Sequence, residues 1–319
     1  MRHPKLLVLA TLALGLAGAH CSSSDSDAPS GAAGAGGSAG TGGTGGTAGM
    51  GGSAGADADA ATDADAAPAP KAHLRAAHLS PDAPAVDICL RAHSTTATDP
   101  FTVGPVLKSL GVTAGLAYPQ VTAYLDVDPG QYDVRIVAPD AADCTASLAD
   151  LPDITDLPSL PADAYVTAAA IGKLGDSTFK LAPFIDDHSV ASGKGKVRFV
   201  HASPGTPAVD VGLLADADAG GGFTTLFGNV SFGNASAGGS LSANGYLELA
   251  PVSGVTVSAR PFDTTTDALV IPGVSVAAGD IDTFFAIGIL GDDVKPLKVL
   301  ACSDVDTSTA PLSKCAEVP

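Results

Sequence analysis

One phrase occurs twice in this chain, and that repetition constrains the fold more than any other feature. Residues 73–90 read HLRAAHLSPDAPAVDICL and residues 196–213 read KVRFVHASPGTPAVDVGL. Arg75, His78, Ser80, Pro81, Pro84, Ala85, Val86, Asp87 and Leu90 recur as Arg198, His201, Ser203, Pro204, Pro207, Ala208, Val209, Asp210 and Leu213, at a constant offset of 123. Self-similarity at a fixed distance is the mark of a repeated structural unit. The distance is far too long for a solenoid turn, so each copy is expected to be a domain with its own core.

Composition narrows the kind of domain. Of 34 acidic residues only Glu248 and Glu317 are Glu, and the chain holds 38 Gly and 23 Pro. Asp, Gly and Pro favour turns, whereas Glu favours helix interiors, so long helices are disfavoured. Alternating apolar runs predict strands at 121–127, 131–138, 164–172 and 178–185, with counterparts near 244–250, 254–260, 282–290 and 294–301. The prolines of Ser80–Pro84 and Ser203–Pro207 cannot donate to a sheet ladder and mark the connection after the first strand of each copy. A short helix is expected around Val103–Leu110. Short strands separated by turn signals read as an all-β protein with two tandem β-sandwich (Ig-like) domains, 71–190 and 191–319.

The phrase H-x-S-P-x-x-P-A-V-D is joined late in each copy by a second one, AAIGKLGD at 169–176 and FAIGILGD at 285–292. Together these segments resemble the bacterial domain-of-unknown-function family DUF4397, over both copies. The resemblance implies an exported β-sandwich module, often in tandem in cell-envelope proteins, and implies no reaction. The copies differ where Asp82 is replaced by Gly205 and Leu79 by Ala202.

The first 70 residues are expected to direct and tether rather than fold. Arg2 and Lys5 precede an uncharged apolar run from Leu6 to Gly18, the pattern of a signal peptide over 1–20. Two processing routes fit. Lipidation of Cys21 would give an outer-membrane lipoprotein, whereas cleavage between Ala19 and His20 would give a secreted or periplasmic protein. Residues 21–70 form a linker rich in Gly, Ala, Ser and Thr, without the apolar side chains that offset ordering entropy. Such a coil would span about 40 Å.

Five cysteines are present. If Cys21 carries lipid, four are left, which allow three pairings. Segregation by domain favours Cys89–Cys144 and Cys302–Cys315. No C-x-x-C pattern occurs, which disfavours zinc or thiol–disulfide chemistry.

The net charge of −18 argues against a nucleic-acid partner. His78, Ser80 and Asp87, with His201, Ser203 and Asp210, suggest a Ser-His-Asp set. Residues of these types around a Pro-rich turn more commonly bond local backbone, and neither copy has a nucleophile elbow. The histidines are therefore expected to be buried and to tie the turn to its strand. Gly193-Lys194-Gly195-Lys196 reads as a basic hinge. The acidic stretch Asp57–Asp65 lacks the spacing of a calcium loop, Asp216–Gly220 resembles half of one but with Gly221-Gly222 after it reads as a floppy strand connection, and Asp186-Asp187 and Asp292-Asp293 read as solvated turn carboxylates. No catalytic residue, metal or cofactor is expected. The function these features suggest is a non-enzymatic envelope protein that displays two modules to an extracellular protein or polysaccharide. A glycan-binding module, marked by an exposed row of Tyr and Phe, and a secreted hydrolase stand as alternatives.

Overall fold

The computed structural model describes residues 69–215, 222–306 and 310–318. The expectations for the signal peptide, Cys21, most of the linker and the 216–220 stretch fall outside these residues. Asp65–Pro319 cluster as one compact unit. The described residues are nearly all β, as expected.

Strands β1 (Ala72–His78), β2 (Asp87–Ala92), β3 (Leu125–Val127), β4 (Tyr132–Val137), β5 (Tyr165–Ile171) and β6 (Lys180–Asp186) build the first half. They form an inner sheet of order β3-β1-β5-β6 and an outer pair β2-β4. Helix α1 (Val106–Ser109) lies between β2 and β3. The second half comprises β7 (Gly195–His201), β8 (Val209–Leu214), β9 (Phe223–Val230), β10 (Tyr246–Leu249), β11 (Val252–Pro261), β12 (Leu269–Val276), β13 (Ile281–Ile287), β14 (Lys298–Ser303) and β15 (Cys315–Val318). Its inner sheet is β10-β7-β13-β14-β15 and its outer sheet β12-β11-β8-β9.

The halves match in register. β1 runs parallel to β5 with Arg75 opposite Thr167, and β7 runs parallel to β13 with Arg198 opposite Thr283. The offset thus falls from 123 at the Arg pair to 116 at the Thr pair without disturbing the pairing. The difference is absorbed in the outer layer. There the second half has β9 and β12, neither of which the sequence pattern predicted, whereas the first half has α1 and irregular chain.

Side chains alternate across a strand, so each inner sheet has two faces to cover. Leu74 and Ala76 on β1 face the outer pair β2-β4. Arg75 and Ala77 face the other way, onto the inner sheet of the second half. Ala77, Ala169, Ala182 and Phe184 pack there with Val200, Phe285, Ile287 and Leu300 in one closed cluster. The layers therefore stack as outer, inner, inner, outer. Each half has an apolar interior of its own, and the two share a third, which separate domains would lack.

Two covalent links and a strap reinforce this stack. Cys89–Cys144 and Cys302–Cys315 are both bridged, with Cα separations of 5.9 and 4.3 Å. The C-terminal segment crosses to the first half, where Ala123 donates to the Pro311 carbonyl at 3.0 Å and Ser313 donates to that of Val121 at 2.9 Å. It then returns as β15, an edge strand absent from the predicted set.

Two expectations are corrected. The basic hinge does not exist, because Gly195 and Lys196 already belong to β7. A Cβ on Gly195 would sit 2.7 Å from the Ala277 carbonyl oxygen. Asp186 is not a solvated turn residue. It ends β6 with a fully buried side chain, while its neighbour Asp187 bonds Lys196 and Asn244 at the margin. Asp292 does lie in an exposed turn, where it accepts from the Val294 and Lys295 amides.

Candidate functional site

The residues of the repeated phrase converge at the end of the first strand in each half. His78 and His201 close β1 and β7 and turn into their own sandwich. His78 Nε2 lies 2.9 Å from the Pro84 carbonyl and His201 Nε2 lies 3.0 Å from that of Pro207. A carbonyl only accepts, so Nε2 carries the proton in both. His201 Nδ1 accepts from the Ser203 amide at 3.3 Å, whereas His78 Nδ1 has no partner among the described residues. Burial outweighs the carbonyl bonds and lowers the pKa of both rings, which are neutral at pH 7.

The serines connect the two repeated phrases. Ser80 Oγ donates to the Gly172 carbonyl at 2.8 Å, and Ser203 Oγ donates to the Gly288 carbonyl at 2.7 Å. Both glycines have positive φ, 86° and 78°. A Cβ on either would lie 2.1 Å from a carbonyl oxygen, that of Thr178 or Pro296. The H-x-S-P and A-I-G-x-L-G-D segments are thus the two jaws of one clasp. In the first half Asp82 strengthens it by accepting from the Leu174 and Gly175 amides, each at 2.9 Å. Gly205 stands there in the second half, where Thr206 Oγ1 instead meets Ser203 Oγ at 2.6 Å. Pro81 and Pro204 open the turns between.

Asp87 and Asp210 also serve backbone, by different routes. Asp87 accepts from the amides of Leu107 at 2.7 Å and Lys108 at 2.9 Å, and so caps α1, whose N-cap residue Pro105 offers no side-chain acceptor. Asp210 accepts from the Asn229 amide at 2.8 Å beside a bulge in β9. The His, Ser and Asp of each half therefore bond separate backbone groups.

The charged centre of the molecule lies in the shared interior, and the sequence reading missed most of it. Arg75 Nη2 pairs with Asp304 of the second half, and Arg198 Nη2 pairs with Asp186 of the first. The contacts to backbone carbonyls follow the same exchange, while each Nε stays within its own half and donates to Thr167 or Thr283. Arg75 Nη1 donates to the Ser303 carbonyl at 3.1 Å, and Arg198 Nη1 to that of Ile185 at 2.7 Å. Within each half a threonine and a tyrosine complete the carboxylate. Thr167 and Tyr124 donate to Asp186 at 2.6 and 2.7 Å, and Thr283 and Tyr246 donate to Asp304 at 2.7 and 2.5 Å. Each guanidinium also covers its own tyrosine ring, at 4.7 Å for Arg75 and 4.5 Å for Arg198. The two charge pairs sum to zero, which limits the cost of burying them.

Burial would raise the Asp186 carboxyl, but Arg75 and Arg198 overcome it and hold the pKa below the ordinary range. Burial, together with the charge of Asp186, pushes Asp304 the other way. Burial pushes both tyrosine hydroxyls far up, so they remain donors. A charged residue in the middle of an apolar strand, present in both copies, was the available signal: a buried Arg requires a buried counter-charge. Asp304, Tyr124, Tyr246 and the two threonines carry no motif of their own.

Beside this centre, in the first half only, Tyr165 stacks between His73 at 4.1 Å and His188 at 3.3 Å. Burial lowers His188 to about 4. In the second half Asp282, short of counter-charges and facing Asp280 and Asp304, is pushed up to about 7, mainly by burial. Among the described residues no three His, Cys, Asp or Glu side chains are placed to hold a metal. Of the described Tyr and Phe residues only Phe262 is exposed, so they form no exposed aromatic row.

The family described as Domain of unknown function (DUF4397) matches residues 93–212. The match begins just after β2 and ends within β8, so it covers one of the two H-x-S-P phrases, the second. No curated protein matches the chain.

Proposed function

We propose that this chain is a non-enzymatic cell-envelope lipoprotein whose tether carries two DUF4397-type modules, fused through their inner sheets, for display to an extracellular protein or polysaccharide. The observation that carries this reading is the use made of the repeated phrase. His, Ser and Asp in both copies bond backbone carbonyls and amides of their own turn, clasp or cap. What the two copies keep in common is thus what the fold needs.

The two disulfides fit an oxidising extracellular or periplasmic environment. They use four of the five cysteines and leave Cys21 for the anchor. Among the described residues no helix is long and apolar enough to cross a membrane.

Mass spectrometry of the mature protein from its native envelope tests the anchor. The expected N-terminal peptide begins at Cys21 and carries acyl chains. A peptide beginning at His20 would replace the lipoprotein with a secreted protein. Display is tested by crosslinking on intact cells followed by identification of the attached species. An extracellular protein or glycan polymer is expected, and turnover of a small substrate that survives purification would overturn the non-enzymatic reading.

A further inference from the structure

The interiors of the two halves are unlike the interior they share. Between the inner sheets Ala77, Ala169, Val200 and Phe285 are closed off completely. On the opposite face of the same strands Ala76 and Phe284 remain partly exposed, although a second sheet or loop layer covers them. That exposure is to cavities. One of about 280 Å³ lies between the two layers of the first half, and one of about 310 Å³ lies in the second. They occupy equivalent places. Leu74, Ala76, Ile88 and Leu125 line the first at the positions that Val197, Phe199, Val211 and Leu247 hold in the second. Protein interiors normally pack with few voids larger than a water molecule. Large apolar voids stay dry and take up apolar guests.

Their shape restricts the guest. The first cavity draws lining residues from all four strands of its inner sheet, Leu125, Ala76, Ala168 and Leu181, which at ordinary strand spacing is a slot about 14 Å long. Its volume then leaves a mean section of about 20 Å², enough for one extended methylene chain. The second draws on five strands, from Leu247 to Val318, and is a longer slot, about 19 Å, of similar section. Asp126 at the rim of the first, exposed and already paired with His73, disfavours an anionic head.

We infer that each half binds one unbranched hydrocarbon chain of a lipid between its two layers, so that the protein carries two chains.

Native mass spectrometry and calorimetric titration of the full chain with dodecanol test this directly. Two adducts per chain are expected. Dodecylphosphocholine, kept below its micelle concentration, separates the sources: comparable uptake indicates a headgroup-bearing membrane lipid, and uptake of the alcohol alone indicates a free chain. Ala76→Leu obstructs the first slot and Ala259→Leu the second, so each should reduce the stoichiometry to one and the double variant to none. Filling a true void also raises the thermal midpoint. Failure of the unmodified chain to bind either probe would overturn the inference, whatever the variants do. Unchanged uptake by a folded double variant would overturn it as well.

Discussion

Arg75 and Arg198 show how much a single side chain commits this molecule to. Each guanidinium is fully buried and paired with a carboxylate of the other half. Removing one carboxylate leaves two buried guanidinium groups to share the one that remains, since Asp186 also lies 3.9 Å from Arg75 Nε. Asp304→Asn should therefore cost about 3–5 kcal/mol in chemical denaturation, whereas replacing the whole quartet with apolar residues of similar volume should cost much less. Equal losses for the two variants would show that a stranded charge is not what destabilises Asp304→Asn. His201→Ala deletes the donor to the Pro207 carbonyl and the acceptor for the Ser203 amide, a loss of about 1–3 kcal/mol.

Two other residues set the pH response. His188 has a folded pKa near 4, below its ordinary 6.5, so folding favours the neutral ring. Its contribution is present above 6.5 and is lost as pH falls toward 4. Asp282 is the reverse case, raised from 3.8 to about 7. Folding favours its protonated form, and that contribution is lost as pH rises toward 7. Asp282→Asn should consequently raise the denaturation midpoint more at pH 8 than at pH 5. An equal shift at both would contradict the burial assigned to it.

At the scale of elements, the clasp explains why two separate phrases recur. Gly172→Ala places a Cβ against the Thr178 carbonyl in a left-handed conformation, a strain of about 1–3 kcal/mol. Hydrogen exchange should rise first at the 172–179 turn and at Ser80. Reduction of Cys302–Cys315 opens a loop worth about 3 kcal/mol in the chain-entropy estimate. Because the strap lies within that loop, exchange at Ala123 should rise with it.

How far the sequence reveals these elements follows from the physics of each. β1, β4, β5 and β13 alternate with one buried face or lie in apolar runs, and their positions were legible within a few residues. β9, with Thr224, Thr225 and Asn229, and β15, only four residues long with Glu317 among them, are edge strands whose pattern is set by what they lie against. The clasp was legible as two repeated motifs, but not as one contact, because nothing local shows that Ser80 and Gly172 meet. Asp186 was misread because Asp-Asp before a loop is normally a solvated pair, and only the opposing sheet takes it out of water.

On the scale of the whole molecule, the shared interior makes the halves one folding unit. Separating them would expose Phe285, Ile287 and Val200 and would strand both arginines. The folded part should therefore unfold in a single calorimetric transition, with the van't Hoff and calorimetric enthalpies equal. Two resolved transitions would show that each half stands by itself.

The position of β1 has a mechanical consequence. It is the first strand of the described residues, and it lies inside its sheet, parallel to β5 and antiparallel to β3. A pull arriving from the N-terminal side of Ala72 runs along the strand axis. The ladder bonds on both flanks are perpendicular or slanted to that axis, so they are loaded in shear and must yield together rather than unzip in turn. Traction from the N-terminal side thus meets the first half at one of its most resistant points, while the buried Arg75 guanidinium holds that same strand to Asp304 of the second half.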